Sequence, residues 1–163
     1  MFIKKHIQKI FTYLLFICFF VFIPYVHSQD CCQCPPTVED VRKDSRFKQL
    51  SDFDLIYYFE ITKELSLMCY YHQNGTLYLE SPDHGIAKSY DENGRLRRKT
   101  SYRYKKKHGL EILYTKTGNI DAIIDYSNNI PVGGECFNAD GTITFWTEIE
   151  LEKYKKEDIT PCN

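Results

Sequence analysis

One phrase constrains this chain more than any other: an aromatic residue, glycine four positions later, and an aliphatic residue two positions after that. It occurs as Tyr71-His72-Gln73-Asn74-Gly75-Thr76-Leu77 and again as Tyr90-Asp91-Glu92-Asn93-Gly94-Arg95-Leu96. The third copy is Tyr114-Thr115-Lys116-Thr117-Gly118-Asn119-Ile120, and the fourth is Phe137-Asn138-Ala139-Asp140-Gly141-Thr142-Ile143. Copies two and three also match over a longer period of 24 residues, through Gly85/Gly109, Tyr90/Tyr114, Gly94/Gly118, Leu96/Ile120 and Tyr102/Tyr126. A fixed period of this length marks a repeat architecture, in which each unit is one supersecondary element that buries its apolar side against its neighbours.

The phrase also specifies its turn. A two-residue Asn-Gly loop would set Tyr90 opposite Arg97 and mix apolar with polar partners. A three-residue loop ending in a left-handed glycine avoids this, because Asp91 then pairs with Arg95, and Tyr90 with Leu96. The other copies obey the same rule. His72–Thr76, Thr115–Asn119 and Asn138–Thr142 become polar pairs, whereas Tyr71–Leu77, Tyr114–Ile120 and Phe137–Ile143 become aromatic–aliphatic pairs contributing about 0.2–1 kcal/mol each. Gly75, Gly94, Gly118 and Gly141 are therefore the repeat turn glycines. In copy three, Leu110, Ile112, Tyr114, Ile120, Ala122 and Ile124 are expected on one face, which the helix over 37–50, the curvature of the sheet or another molecule must cover.

Residues 1–28 read as a signal peptide: Lys4, Lys5 and Lys9 precede an apolar run from Ile10 to Val26, and Val26-His27-Ser28 offers a cleavage site. If the segment were retained it would be an N-terminal membrane anchor. Three of the 21 basic residues and none of the 22 acidic ones lie in it, so its removal leaves a formal charge of −4. Such a balance gives no support to nucleic-acid binding. Residues 29–54 form a Cys/Pro-rich entry segment with a short amphipathic helix, on the spacing Val38, Val41, Phe47, Leu50. The β-hairpin repeat sheet covers 55–151, starting with a strand at Leu55–Thr62. Residues 152–163 are a charged C-terminal tail. The fold class is mainly β: a single elongated antiparallel meander of hairpin repeats with a short N-terminal helix.

Gly85-x4-Tyr90-x2-Asn93-Gly94-x-Leu96-x5-Tyr102, followed by a basic turn and His108-Gly109, resembles the bacterial variant of the MORN repeat. The resemblance spans residues 66–145 and implies an elongated, twisted antiparallel sheet of hairpins that serves as an interaction module without a catalytic centre. Some bacterial members are labelled antitoxin components.

The candidate disulfide cysteines after the signal segment are Cys31, Cys32, Cys34, Cys69, Cys136 and Cys162, an even count that in an exported chain favours disulfides. The hairpin register puts Cys69 on the face of Tyr71 and Leu77, and Cys136 opposite to Phe137. A Cys69–Cys136 bond is therefore disfavoured, and at least one of the two is expected to pair with the Cys31/Cys32/Cys34 group. No second Cys-x-x-Cys or His pair accompanies that group, so no metal or other cofactor is called for. Of the three histidines after residue 28, His84 and His108 fall at one repeat phase and His72 flanks a turn, which leaves no nucleophile–base constellation and no catalytic residue.

The run from Arg95 to Lys107 holds eight cations and no acid. Strand alternation sets Arg95, Arg97, Lys99 and Arg103 on the solvent side, a basic stripe about 27 Å long, with Leu96, Thr100, Tyr102 and Tyr104 opposite. A stripe of this kind is either a solvated hairpin face or an electrostatic dock for an acidic protein, an anionic lipid or a polysaccharide. Trp146, Phe145 and Phe137 read as core or sheet-edge packing. Together these features lead to an exported, non-enzymatic binding or scaffold module at the cell envelope, acting through the basic stripe or the tyrosine-rich face. An immunity or inhibitor protein against a toxin or hydrolase is the alternative.

Overall fold

The computed structural model describes residues 33–50 and 55–162. Residues 1–28, expected as a signal peptide, and the cysteines Cys31 and Cys32 lie outside the described residues. A short helix, α1 (Val38–Lys43), is followed by ten strands: β1 (Lys48–Gln49), β2 (Ile56–Glu60), β3 (Ser66–Tyr71), β4 (Leu77–Pro82) and β5 (Gly85–Tyr90). Then come β6 (Leu96–Arg103), β7 (Lys106–Tyr114), β8 (Ile120–Ser127), β9 (Ile130–Phe137) and β10 (Ile143–Phe145), and the chain finishes in helix α2 (Glu148–Glu157). The strands form one open antiparallel sheet in sequence order. Within the expected helix over 37–50, only α1 is helical, and its end bends into β1, which pairs with β2 and starts the sheet earlier than the hairpin pattern suggests.

All four Gly phrases make the three-residue turn. In the second copy Gly94 N–H donates to Asp91 O at 2.8 Å, and Asp91 N–H donates to Arg95 O at 2.9 Å. The same two bonds recur at His72/Gly75/Thr76, Thr115/Gly118/Asn119 and Asn138/Gly141/Thr142. Gly94 has φ +75°, a conformation that costs a residue with a Cβ, so glycine is favoured there. At the other end of the sheet, Tyr104-Lys105 and Asn128-Asn129 make two-residue turns with both central residues at positive φ, the geometry that matches the strand twist.

Beyond the glycine, the first three hairpins carry a second irregularity. Tyr90 pairs with Leu96, yet Ser89 pairs with Arg98, so Arg97 is an extra residue in β6. Tyr78 and Asp121 are extra residues at the same point of the first and third hairpins. A bulge of this kind interrupts alternation, and it corrects the face expected in copy three. Ala122 and Ile124 share a face with Glu111 and Leu113, whereas Leu110 and Ile112 lie on the other side.

Directly paired residues of an antiparallel sheet share a face, so the register defines both sides. From Cys69 one row of partners passes through Glu80, Lys88, Lys99, Ile112 and Ile123. The adjacent row, from Tyr70, passes through Leu79, Ser89, Arg98, Leu113 and Ala122 to Cys136 on the other side. Burial changes side along the sheet. Near the N-terminus the first face is covered: Val38 and Val41 of α1 pack with Tyr57, Leu67, Cys69 and Tyr71. Near the C-terminus the second face is covered, where Tyr154 of α2 packs on Ile124 and Tyr126 together with Trp146. The two sides are called here the α1 face and the α2 face.

Each helix is set by local chemistry and then tied down. Thr37 caps α1 through Asp40 N–H, and Arg42 Nε donates to Tyr57 OH at 3.0 Å. The segment 152–163, expected as a charged tail, instead contributes most of α2. Its start is a reciprocal capping box: Glu150 N–H donates to Thr147 Oγ1 and Thr147 N–H to Glu150 Oε2. Gly134 has no side chain because the Trp146 indole lies where its Cβ would be. Two disulfides complete the arrangement, Cys34–Cys69 just before α1 and Cys136–Cys162 just after α2. Cys69 meets one of the entry cysteines, and the sheet itself stands between Cys69 and Cys136.

Each bond closes a loop of 35 or 26 residues, worth about 3–4 kcal/mol in the chain-entropy account. Non-reducing peptide mapping is expected to recover Cys34–Cys69 and Cys136–Cys162 and no Cys69–Cys136 peptide. Cys136→Ala with Cys162→Ala is expected to lower unfolding free energy in urea by about that amount.

Candidate binding surfaces

The helices leave one large part of each face bare. On the α1 face, no element among the described residues covers strands β5 to β10. Ile86, Leu110 and Phe145 are 52%, 48% and 72% exposed there, and Ile112 and Ile123 are half-buried between them. A shallow depression of about 210 Å³ sits among Leu110, Ile123, Gly133 and Phe145. Lys88 and Lys99 are directly paired at its N-terminal side, a like-charge contact that would be unfavourable alone. Glu80 accepts from Lys88 Nζ at 3.3 Å, and the Lys99 ammonium lies 5.9 Å from the Tyr114 ring centroid. Asp125 and Glu135 belong to the same face further along.

The four cations expected as one stripe are divided. Arg95 turns back to Asp91 at 2.9 Å beside the Gly94 turn. Arg97 occupies the bulge, Lys99 lies on the α1 face, and Arg103 is exposed next to the Tyr104-Lys105 turn. Arg98 points to the α2 face, where it meets Glu111. The extra residue at Arg97 is the physical reason, since simple alternation assumes an unbroken strand.

The α2 face is organised around Glu111, which is fully buried. Its Oε1 accepts from Thr100 Oγ1 at 2.8 Å and Lys107 Nζ at 3.0 Å, with Arg98 Nη1 at 3.6 Å. Its Oε2 accepts from the hydroxyls of Tyr126 and Tyr154, both at 3.3 Å, and these hydroxyls are 2.9 Å apart. Burial opposes the charged form, but the Lys107 and Arg98 charges and the hydrogen bonds outweigh it, so the carboxyl titrates below its ordinary range. Burial likewise pushes the Tyr126 and Tyr154 hydroxyls upward, which keeps them protonated as donors. One carboxylate thus joins β6, β7, β8 and α2. Sequence reading missed it; the available signal was a single acid within the apolar stretch from Leu110 to Tyr114.

Beside this cluster the α2 face opens into a trough of about 450 Å³ that neither described helix covers. Small residues form part of its lining, Ala87, Ser89 and Thr100, together with Tyr78 and Tyr102. Arg97, Arg98 and Lys107 bring positive charge, and Glu111 and Asp121 bring negative charge. Among the described residues no group of three or more His, Cys, Asp or Glu side chains is placed to hold a metal ion. The His84 ring packs edge-on against Tyr104, and His72 Nε2 bonds Tyr90 O at 3.1 Å.

Glu111 links stability to pH with a definite sign. Its folded-state pKa lies below the unfolded value, so its contribution is present above the ordinary carboxylate value near 4.5 and is lost as pH falls below that, through the lower folded-state value. Glu111→Ala is expected to cost about 3–5 kcal/mol, because it leaves Lys107 facing a buried void. Urea titrations at pH 7 and pH 3.5 check both points: the difference between wild type and the variant should shrink at the lower pH.

Residues 83–104, the β5–β6 hairpin with the turns that flank it, match the protein family described as MORN repeat variant. Comparison with the curated proteins and with the solved structures returned no match. A MORN repeat of this kind suggests a repeat-containing binding or scaffold module.

Proposed function

We propose that this chain is an exported, non-enzymatic repeat protein that works as a binding module at the cell envelope, and that its partner is a protein seated on the α1 face of β5 to β10. The carrying observation is that uncovered face. Side chains of Ile86, Leu110, Ile112, Ile123 and Phe145 form an apolar area there, with Lys88 and Lys99 on its flank. Exposed apolar residues gathered on one side of a sheet, rimmed by charge, are the common mark of a protein–protein surface. The matching partner has an apolar centre and an acidic flank opposite Lys88 and Lys99.

Export is supported by the two disulfides, which fit an oxidising extracellular or periplasmic location. Among the described residues no helix is long and apolar enough to cross a membrane. The non-enzymatic reading is supported by Glu111, whose two oxygens are both engaged by groups that hold the fold together.

The test is an affinity comparison of wild type with Leu110→Asp and Phe145→Asp, using the partner captured from an envelope extract. Both positions are exposed, so circular dichroism should be unchanged. Capture is expected to weaken at least tenfold in each variant, as removal of a central anchor does. A stoichiometric partner held equally by both variants would reject the α1 face. Salt-sensitive binding to anionic vesicles in place of any protein would reject the partner class.

A further inference from the structure

The trough on the α2 face lies on the opposite side of the sheet from the surface just proposed, and its chemistry is different. Its volume of about 450 Å³ falls within the range of pockets that take one small molecule. Much of its polar capacity is unspent. Among the described residues the hydroxyls of Ser81, Ser89 and Tyr102, which line it, have no hydrogen-bond partner in the protein. Arg98 Nη1 stands 3.6 Å from Glu111 Oε1, too far for a hydrogen bond, and its side chain is 41% exposed. Arg97, which also lines the trough, has an Nη1 atom shielded from solvent with no partner. Glu111 itself is saturated and cannot serve as an acceptor for anything new.

These groups select a ligand class. The charges around the trough are Arg97, Arg98 and Lys107 against Glu111 and Asp121, an excess of one cation. That balance suits a monoanion better than a phosphate dianion. A planar carboxylate matches a guanidinium fork in two parallel bonds. Around it, hydroxyl groups and the Tyr78 and Tyr102 rings suit a body that is hydroxyl-rich at its edges and apolar on its faces. A sugar ring has that form. We infer that the trough is a binding site for a hexuronate, with its carboxylate on Arg98 and its ring among Ala87, Ser89 and Tyr102.

Isothermal titration of the folded, disulfide-bonded protein with D-glucuronate tests this, with D-glucose and acetate as separate arms. Glucuronate is expected to bind at least tenfold more tightly than either arm, since each supplies only half of the recognition. Arg98→Gln should weaken glucuronate at least tenfold. Ser89→Leu, which fills the trough beside its cross-strand partner Arg98, should do the same while leaving thermal unfolding unchanged. Equal affinity for glucose would show that Arg98 does not read the carboxylate, and equal affinity for acetate would show that the trough does not read the sugar. Either result overturns the assignment, as does glucuronate binding that survives both substitutions or is absent at millimolar concentration.

Discussion

Alternation of side chains along a strand is the constraint on which this molecule depends. With a period of two, every residue is committed to one face or the other, and one inserted residue exchanges the commitment for those on its far side. The repeat uses that property at a fixed place. The turn glycine permits the three-residue loop, and an extra residue follows it at Tyr78, Arg97 and Asp121. The aromatic–aliphatic pair at each turn therefore lies on the α1 face, while the residues deeper in the hairpin obey a different parity. Ile120 and Ala122, two positions apart, end on opposite sides for this reason.

A sheet that is wet on one side along its whole length would need one continuous cover. This chain instead supplies two short covers, on opposite faces. Helix α1 closes the N-terminal strands from one side, and α2 closes the C-terminal strands from the other. Neither helix is long enough to be stable alone, since isolated helices of this length are marginal in water. Each disulfide joins the segment beside one helix to the face that the helix covers. The consequence is two bare regions, also on opposite faces. One is apolar with a basic flank; the other is a polar trough beside a buried carboxylate.

Glu111 explains why the α2 side holds together with so little apolar surface. A buried ion pair is not by itself a strong source of stability, because desolvation offsets much of the attraction. What it supplies here is geometry. Donors from Thr100, Lys107, Tyr126 and Tyr154 converge on two oxygens, so the position of α2 is specified by directional bonds as well as by packing of Trp146 on Tyr154. The same arrangement holds Arg98 at the edge of the trough.

Local chemistry was legible in the sequence. The four Gly phrases determined the turn type and the pairs beside it, because the left-handed conformation favours glycine and the pairing follows from the loop length. They also determined the hairpins, the antiparallel order and the separation of Cys69 from Cys136. Thr147-x-x-Glu150 carried the start of α2, although the charge of the segment read as a solvated tail. What the sequence alone did not determine was burial. Alternation defines two faces without saying which is covered, and the bulges that follow the turns leave no compositional mark. Only the tertiary structure decided that Arg98 lies on the α2 face, that Glu111 is the centre of a buried cluster, and that the cations from Arg95 to Arg103 are shared between two faces. The reason is that these outcomes depend on contacts between segments far apart in the chain, with α1, α2 and their disulfides choosing which side of the sheet meets water.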